Sequence, residues 1–330
     1  MSNMSNYPNG FATGVTIRGI PISQAYPGKV FYVGNSSVLS PVDNAVAGAD
    51  TPSAGLFNRP FATIDYAIGQ CTASRGDIIY CLPGHAETIT SATTIAADVA
   101  GVAVVGLGSG SLRPTLTYTT ANTATINVTA ANVAFKNILF VGNFLSIASA
   151  ITVGAAPWFV AEDCECKDTS AILGFLSFIT TTITVNADHL HILNNRIHSI
   201  ATTRTVAPII ILGTMTGLTA KGNRVVCSVA HNNVSQFISH AALVMTDLLV
   251  EGNIVYCVNT DTSSGAVLLS TAATTGSGII KDNTVRALDV AAAIVVTAAA
   301  VQYGMFNNLY TGETTLASGV VLPAIAVDGS

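Results

Sequence analysis

From residue 137 onward the chain repeats one phrase seven times: a few apolar residues, a charge or amide, a bend residue, then apolar and polar residues in alternation. It reads Ala-Phe-Lys-Asn137-Ile-Leu-Phe, then Val-Ala-Glu-Asp163-Cys-Glu-Cys, then Ile-Leu-Asn-Asn195-Arg-Ile-His. It continues as Ala-Lys-Gly-Asn223-Arg-Val-Val-Cys, Val-Glu-Gly-Asn253-Ile-Val-Tyr-Cys, Ile-Lys-Asp-Asn283-Thr-Val-Arg and Phe-Asn-Asn308-Leu-Tyr. The intervals are 26, 32, 28, 30, 30 and 25 residues. A period of this size means stacked supersecondary units in place of one globular core.

After each bend, apolar residues recur at every second position, as in Val225 and Cys227 or Val255 and Cys257. Period two is strand behaviour with one face buried. Coils of this length without a helical period specify an all-β, right-handed, single-stranded parallel β-helix. Asn suits the bend because it tolerates left-handed backbone and bonds nearby main chain. Asn side chains stacked coil on coil can also bond one another. The expected ladder is Asn137, Asn195, Asn223, Asn253, Asn283 and Asn308. In the second phrase Asp163 or Glu162 takes the bend, and Cys164 and Cys166 turn inward if the register slips by one.

Around this body the sequence divides into four parts. Residues 1–33 form an N-terminal arm, 34–75 a loop and capping helix, 76–310 the β-helix, and 311–330 a C-terminal cap or oligomer-contact tail. Within the second part, Phe61, Ile64, Ala67, Ile68 and Cys71 follow helical spacing and predict an amphipathic helix over 59–71. Such a helix plugs the open end of the coil stack.

Charged residues make up 9% of the chain and hydrophobic ones 50%, against about a quarter charged in ordinary domains. The longest apolar run, from Val290 to Val301, is too short for a spanning helix, which needs about 20 residues. No secretory signal pattern opens the chain, and no membrane partner is expected. A rod with so few charges is expected to hide its sides in a homo-oligomer, a trimer above all. The net charge is −5 and basic residues are scattered, which gives a nucleic-acid partner no footing.

The arm, the helix and the strand after it carry a resemblance. Gly-Val-Thr-Ile-Arg-Gly-Ile-Pro, Pro-Gly-Lys-Val-Phe-Tyr-Val, Arg-Pro-Phe-Ala-Thr-Ile-Asp-Tyr-Ala-Ile and Gly-Asp-Ile-Ile-Tyr-Cys-Leu-Pro-Gly-His-Ala-Glu precede the Asn-bearing coils. The series resembles pectate-lyase-like β-helix proteins and is similar to β-helix structural proteins of tailed bacteriophages, of the trimeric capsid-decoration type. That resemblance implies a cement protein on the virion surface, assembled in the host cytoplasm, with the major capsid protein as partner. Ile17, Arg18, Ile20 and Tyr26 of the arm are then the expected capsid contacts. The alternative is a tailspike or fibre that binds or cleaves host polysaccharide.

Chemistry has few footholds in the sequence, and the expectation is a chain without enzymatic activity. The one acidic cluster is Glu162, Asp163, Glu165 and Asp168. Alternation would put Asp163 and Glu165 on one strand face at a spacing of about 6–7 Å, which a glycosidase could use; a solvated turn is the plainer reading. Long-glycan sites usually present several aromatics, and this chain has one Trp, Trp158. His85 reads as a polar coil edge, and His189 with His191 as a surface pair. Cys164-x-Cys166 lacks a second ligand pair at zinc spacing. No metal or cofactor is expected.

Overall fold

The computed structural model describes residues 16–17, 20–21, 28–35, 47–183, 187–200, 206–227, 236–241, 244–257, 267–271, 275–286, 295–296, 301–311 and 320–322. These residues form an all-β, right-handed parallel solenoid. A typical inner coil contributes one short strand to each of three sheets, which hold eleven, ten and eight strands among the described residues. In one coil Ala134–Lys136 lies in the first sheet, Leu139–Gly142 in the second and Ile151–Val153 in the third.

Alternation along each strand stacks inward side chains into columns. The first sheet stacks Ile79, Val104, Phe135, Ala161, Ile192, Ala220, Val250 and Ile280 in register. The second stacks Leu116, Phe140, Cys166, Ile197, Val225, Val255 and Val285. The third stacks Ile126, Ile151, Ile179, Ile209, Ile238 and Leu269. All of these side chains are buried. Large residues sit over small ones, Phe135 over Ala161 and Phe140 over Cys166, so the columns interlock.

The bend into the second sheet uses two adjacent positions for two tasks. Asn137, Asp163, Asn194, Gly222, Gly252, Asp282 and Asn307 take the left-handed conformation, with φ between 49° and 67°. The next residue points inward. At that position Asn195, Asn223, Asn253, Asn283 and Asn308 are buried and form the ladder. From Asn223 onward each Oδ1 accepts the backbone N–H and the side-chain amide of the Asn one coil before, as Asn253 Oδ1 does from Asn223 at 2.9 Å each. Each Nδ2 also donates back to a carbonyl, as Asn253 does to Ala220 at 2.8 Å. In Asn223, Asn253 and Asn283 both amide hydrogens and both oxygen lone pairs are thereby used, which is what burial of an amide demands.

Asn137 is not in this ladder, a correction to the expected set. It holds the left-handed position, and its amide bonds the carbonyls of Gly106 (2.8 Å) and Gly108 (3.0 Å). Buried Ile138 fills the inward slot of that coil and Cys164 that of the next. The Cys164 N–H donates to Asn195 Oδ1, and its thiol contacts the Phe135 and Glu162 carbonyls. Cys164 and Cys166 both face inward, as the slipped register requires.

The helix runs only Ile64–Gly69. Pro60 and the extended Thr63 cap start it late, and the Thr63 hydroxyl accepts the Tyr66 N–H. Buried Ile64, Ala67 and Ile68 still cover the first coil, while Phe61 reaches the core from a bridge to Val33. Val30–Val33, placed in the arm by the sequence, pairs in parallel with Ile78–Cys81 and is the first rung of the first sheet. At the far end Val320–Leu322 pairs antiparallel with Asn308–Tyr310. Of the arm residues, Ile17 and Ile20 are backbone partners in a short antiparallel pair. Arg18 and Tyr26 lie outside the described residues.

Candidate functional site

Register across coils brings distant polar residues to the corner between the first and second sheets. Outward positions beginning the second-sheet strands align Leu139, Glu165, Arg196 and Arg224. The left-handed positions beside them present Asn137, Asp163 and Asn194. Arg113, just before the Thr115–Tyr118 strand, reaches past Leu139 and donates through Nη1 to Glu165 Oε2 at 3.1 Å. Arg113, Asn137, Asp163, Cys164, Glu165, Asn194 and Arg196 line an open cavity of about 550 Å³.

The acidic cluster of the sequence divides into three. Glu162 pairs with Lys136 on the neighbouring coil, outside the cavity. Asp168 is structural, accepting Phe175 N–H at 3.0 Å, the Ser199 hydroxyl at 2.9 Å and Ile200 N–H at 3.1 Å. Asp163 and Glu165 remain and line the cavity together. They do not share a strand face by alternation, because Asp163 occupies the bend and only Glu165 belongs to a strand. On later coils of the first sheet Glu251 lies between Lys221 (3.0 Å) and Lys281 (3.2 Å). Hydrogen bonds from those two lysines hold Glu251 below the usual carboxylate range.

Arg113 Nε is buried and finds no hydrogen-bond acceptor among the described residues. An unsatisfied buried donor is uncommon and costly. The Arg113–Glu165 pair itself is 24% and 30% exposed, so it contributes at most about 1 kcal/mol to stability. Cys164 supplies no thiolate here, since burial pushes its thiol up to about 12. The remaining set, two guanidinium groups, two carboxylates and two amides, suits a ligand dense in hydroxyls. Planar forks bond paired oxygens with defined geometry. Two carboxyls with flanking guanidiniums also hold the parts for acid–base chemistry and for stabilising developing negative charge.

The corner between the third and first sheets carries a cluster of rings. Trp158 stacks on His189 with centroids 4.0 Å apart and lies nearly parallel to His191 at 5.9 Å. No group of three or more His, Cys, Asp or Glu is placed to hold a metal among the described residues. His85 is buried, not at a solvated edge, and contacts Glu87 at 3.3 Å. Sequence reasoning missed Arg113 and Arg196. Arg113 meets Glu165 across 52 residues, and neither arginine belongs to a motif.

No family model matches the chain, and no curated protein matches it. Among solved structures it is similar to one named rhamnogalacturonan lyase, with 13% identity, a TM-score of 0.41, and coverage of 87% of this chain and 69% of that one. The likeness is one of fold. The expectation of a chain without enzymatic activity is not carried forward: two acidic residues read as a solvated turn line an arginine-bearing cavity.

Proposed function

We propose that the chain is a polysaccharide-binding β-helix whose ligand seats at the corner cavity between Arg113 and Arg196. The observation that carries this reading is the cavity lining, where two guanidiniums, two carboxylates and two amides from successive coils meet. Asp163 and Glu165 would then stand at the bound chain as proton acceptor and donor, and the arginines as the groups that stabilise anionic charge. Parallel strands stacked about 4.8 Å apart form a lateral wall along which a long polymer can lie.

The test is binding and turnover measured together. Calorimetry against a uronate polymer and a neutral glucan should detect binding by the natural chain. Arg113→Ala should weaken it at least about tenfold while moving the unfolding midpoint little, because the ion pair it breaks is partly exposed. Glu165→Gln should keep binding and abolish any release of new chain ends. Binding without turnover by the natural chain would make this a binding module. Absence of binding to every glycan tested would sink the reading, and many copies per virion would then support the capsid role implied by the resemblance.

A further inference from the structure

Trp158 is the only tryptophan of the chain and is 48% exposed. Its backbone is left-handed, at φ 62°, as is that of His189 at φ 57°. Both belong to one column at the corner into the first sheet. Asn132 N–H donates to the carbonyl before Trp158, Trp158 N–H to the carbonyl before His189, and His189 N–H to the carbonyl before Gly217. Asn132, Gly217 and Asp247 in the same column have positive φ as well. Asn, Asp and Gly suit that conformation, whereas a bulky side chain there costs about 1–2 kcal/mol. On two successive coils the corner tolerates that cost and sets two aromatic rings in parallel. Gly217 leaves the room for them, since a Cβ there would lie 2.4 Å from His189 Nδ1. Strain kept at an exposed site points to use of the site.

We propose that Trp158, backed by His189 and His191, is a second saccharide subsite on the same coil as the arginine–carboxylate cavity. The inference rests on the polysaccharide reading and deepens it by naming the ligand as a chain long enough to cross the first sheet. From Trp158 to Asp163 is five residues of nearly extended backbone, about 16 Å. The C–H faces of a sugar ring stack on the electron-rich face of an indole. Stacking on the two imidazoles fixes the ring plane, so little side-chain freedom is lost when a sugar binds. Burial, with His189 beside it, lowers the pKa of His191, so that this ring is neutral at ordinary pH.

The lone tryptophan makes the test direct. Size-graded oligomers of a uronate polymer and of a neutral glucan are titrated against the full chain, read by tryptophan emission and by calorimetry. Long oligomers should shift the emission and short ones should bind without shifting it. Trp158→Asn installs the residue found at Asn132 of the same column, so it relaxes the turn instead of straining it. It should weaken binding of long oligomers about tenfold and leave short ones unchanged, and Trp158→Phe should restore most of the loss. Binding by calorimetry with unmoved emission, or equal affinity of Trp158→Asn for long chains, overturns the subsite and leaves the cavity reading intact. No binding of any oligomer overturns both.

Discussion

Asn253→Leu should lower the stability of the solenoid by on the order of 3–5 kcal/mol, although leucine has the same number of side-chain heavy atoms and the same branching as asparagine. The change removes Oδ1 from two donors at once, the Asn223 backbone N–H and its Nδ2, each at 2.9 Å. It also takes one donor from Asn283 Oδ1 and the amide from the Ala220 carbonyl. All of these groups are buried, so none recovers a bond to water, and each orphaned donor costs about 1–3 kcal/mol. Denaturant titration followed by circular dichroism measures the shift. In a stack of coils, stability is a sum of unit and neighbour terms. A break at Asn253 should therefore also separate the transition of the coils after it from that of the coils before it. A midpoint within experimental error of the natural chain would show that the ladder is a by-product of stacking. Asn137→Ser is the matched control, because Asn137 lies outside the ladder and bonds only two carbonyls of one corner.

Asp77→Ala should release the N-terminal cap, at a cost on the order of 3 kcal/mol or more. The Asp77 carboxylate has no solvent exposure and accepts four hydrogen bonds. Arg75 donates from Nε at 2.7 Å and Nη2 at 2.6 Å, Thr72 N–H at 2.7 Å, and Lys29 N–H at 2.6 Å. One side chain thus ties the segment before the first rung, the turn after the helix and the first full coil. Removing one partner of a buried pair leaves the others uncompensated, which is far costlier than losing a surface pair. Burial by itself would raise the Asp77 pKa, but the bonds from Arg75, Thr72 and Lys29 outweigh it and hold the group below its ordinary value of 3.8. A depressed carboxylate contributes stability above its unfolded pKa and loses it as pH falls through the folded one. The cap should accordingly loosen in acid below about pH 4, read as faster amide exchange over residues 64–81. Asp77→Ala should exchange fast at neutral pH and lose that acid dependence. Equal protection of the cap in both proteins at neutral pH would rule out this role for Asp77.

Gathering these groups took more than composition could tell. Arg113 and Glu165 are unremarkable in the sequence, and only the distance of two coils makes them partners. Asp77 sits inside a strand phrase that reads as ordinary coil grammar, and its four donors come from Lys29, Thr72 and Arg75. The helix showed its buried face in the sequence but not its length. Phe61 shares the helical spacing while belonging to the extended segment before the Thr63 cap.

What the sequence determined by itself is the kind of object this chain is. A period of 25 to 32 residues with alternation inside each phrase can bury its apolar residues only by stacking coil on coil, and the three parallel sheets follow from that. Tertiary structure alone decided which residues meet. Coils differ in length, so alignment between them accumulates from loop to loop, and a slip of one residue turns a side chain from the core to the solvent. The first Asn of the repeat shows the consequence: read one position out of register, Asn137 passes for a ladder residue, whereas in the fold it holds the bend and Ile138 takes the core. The same registration sets Glu165 beside Arg196 and stacks Trp158 on His189, contacts between coils that no local pattern encodes.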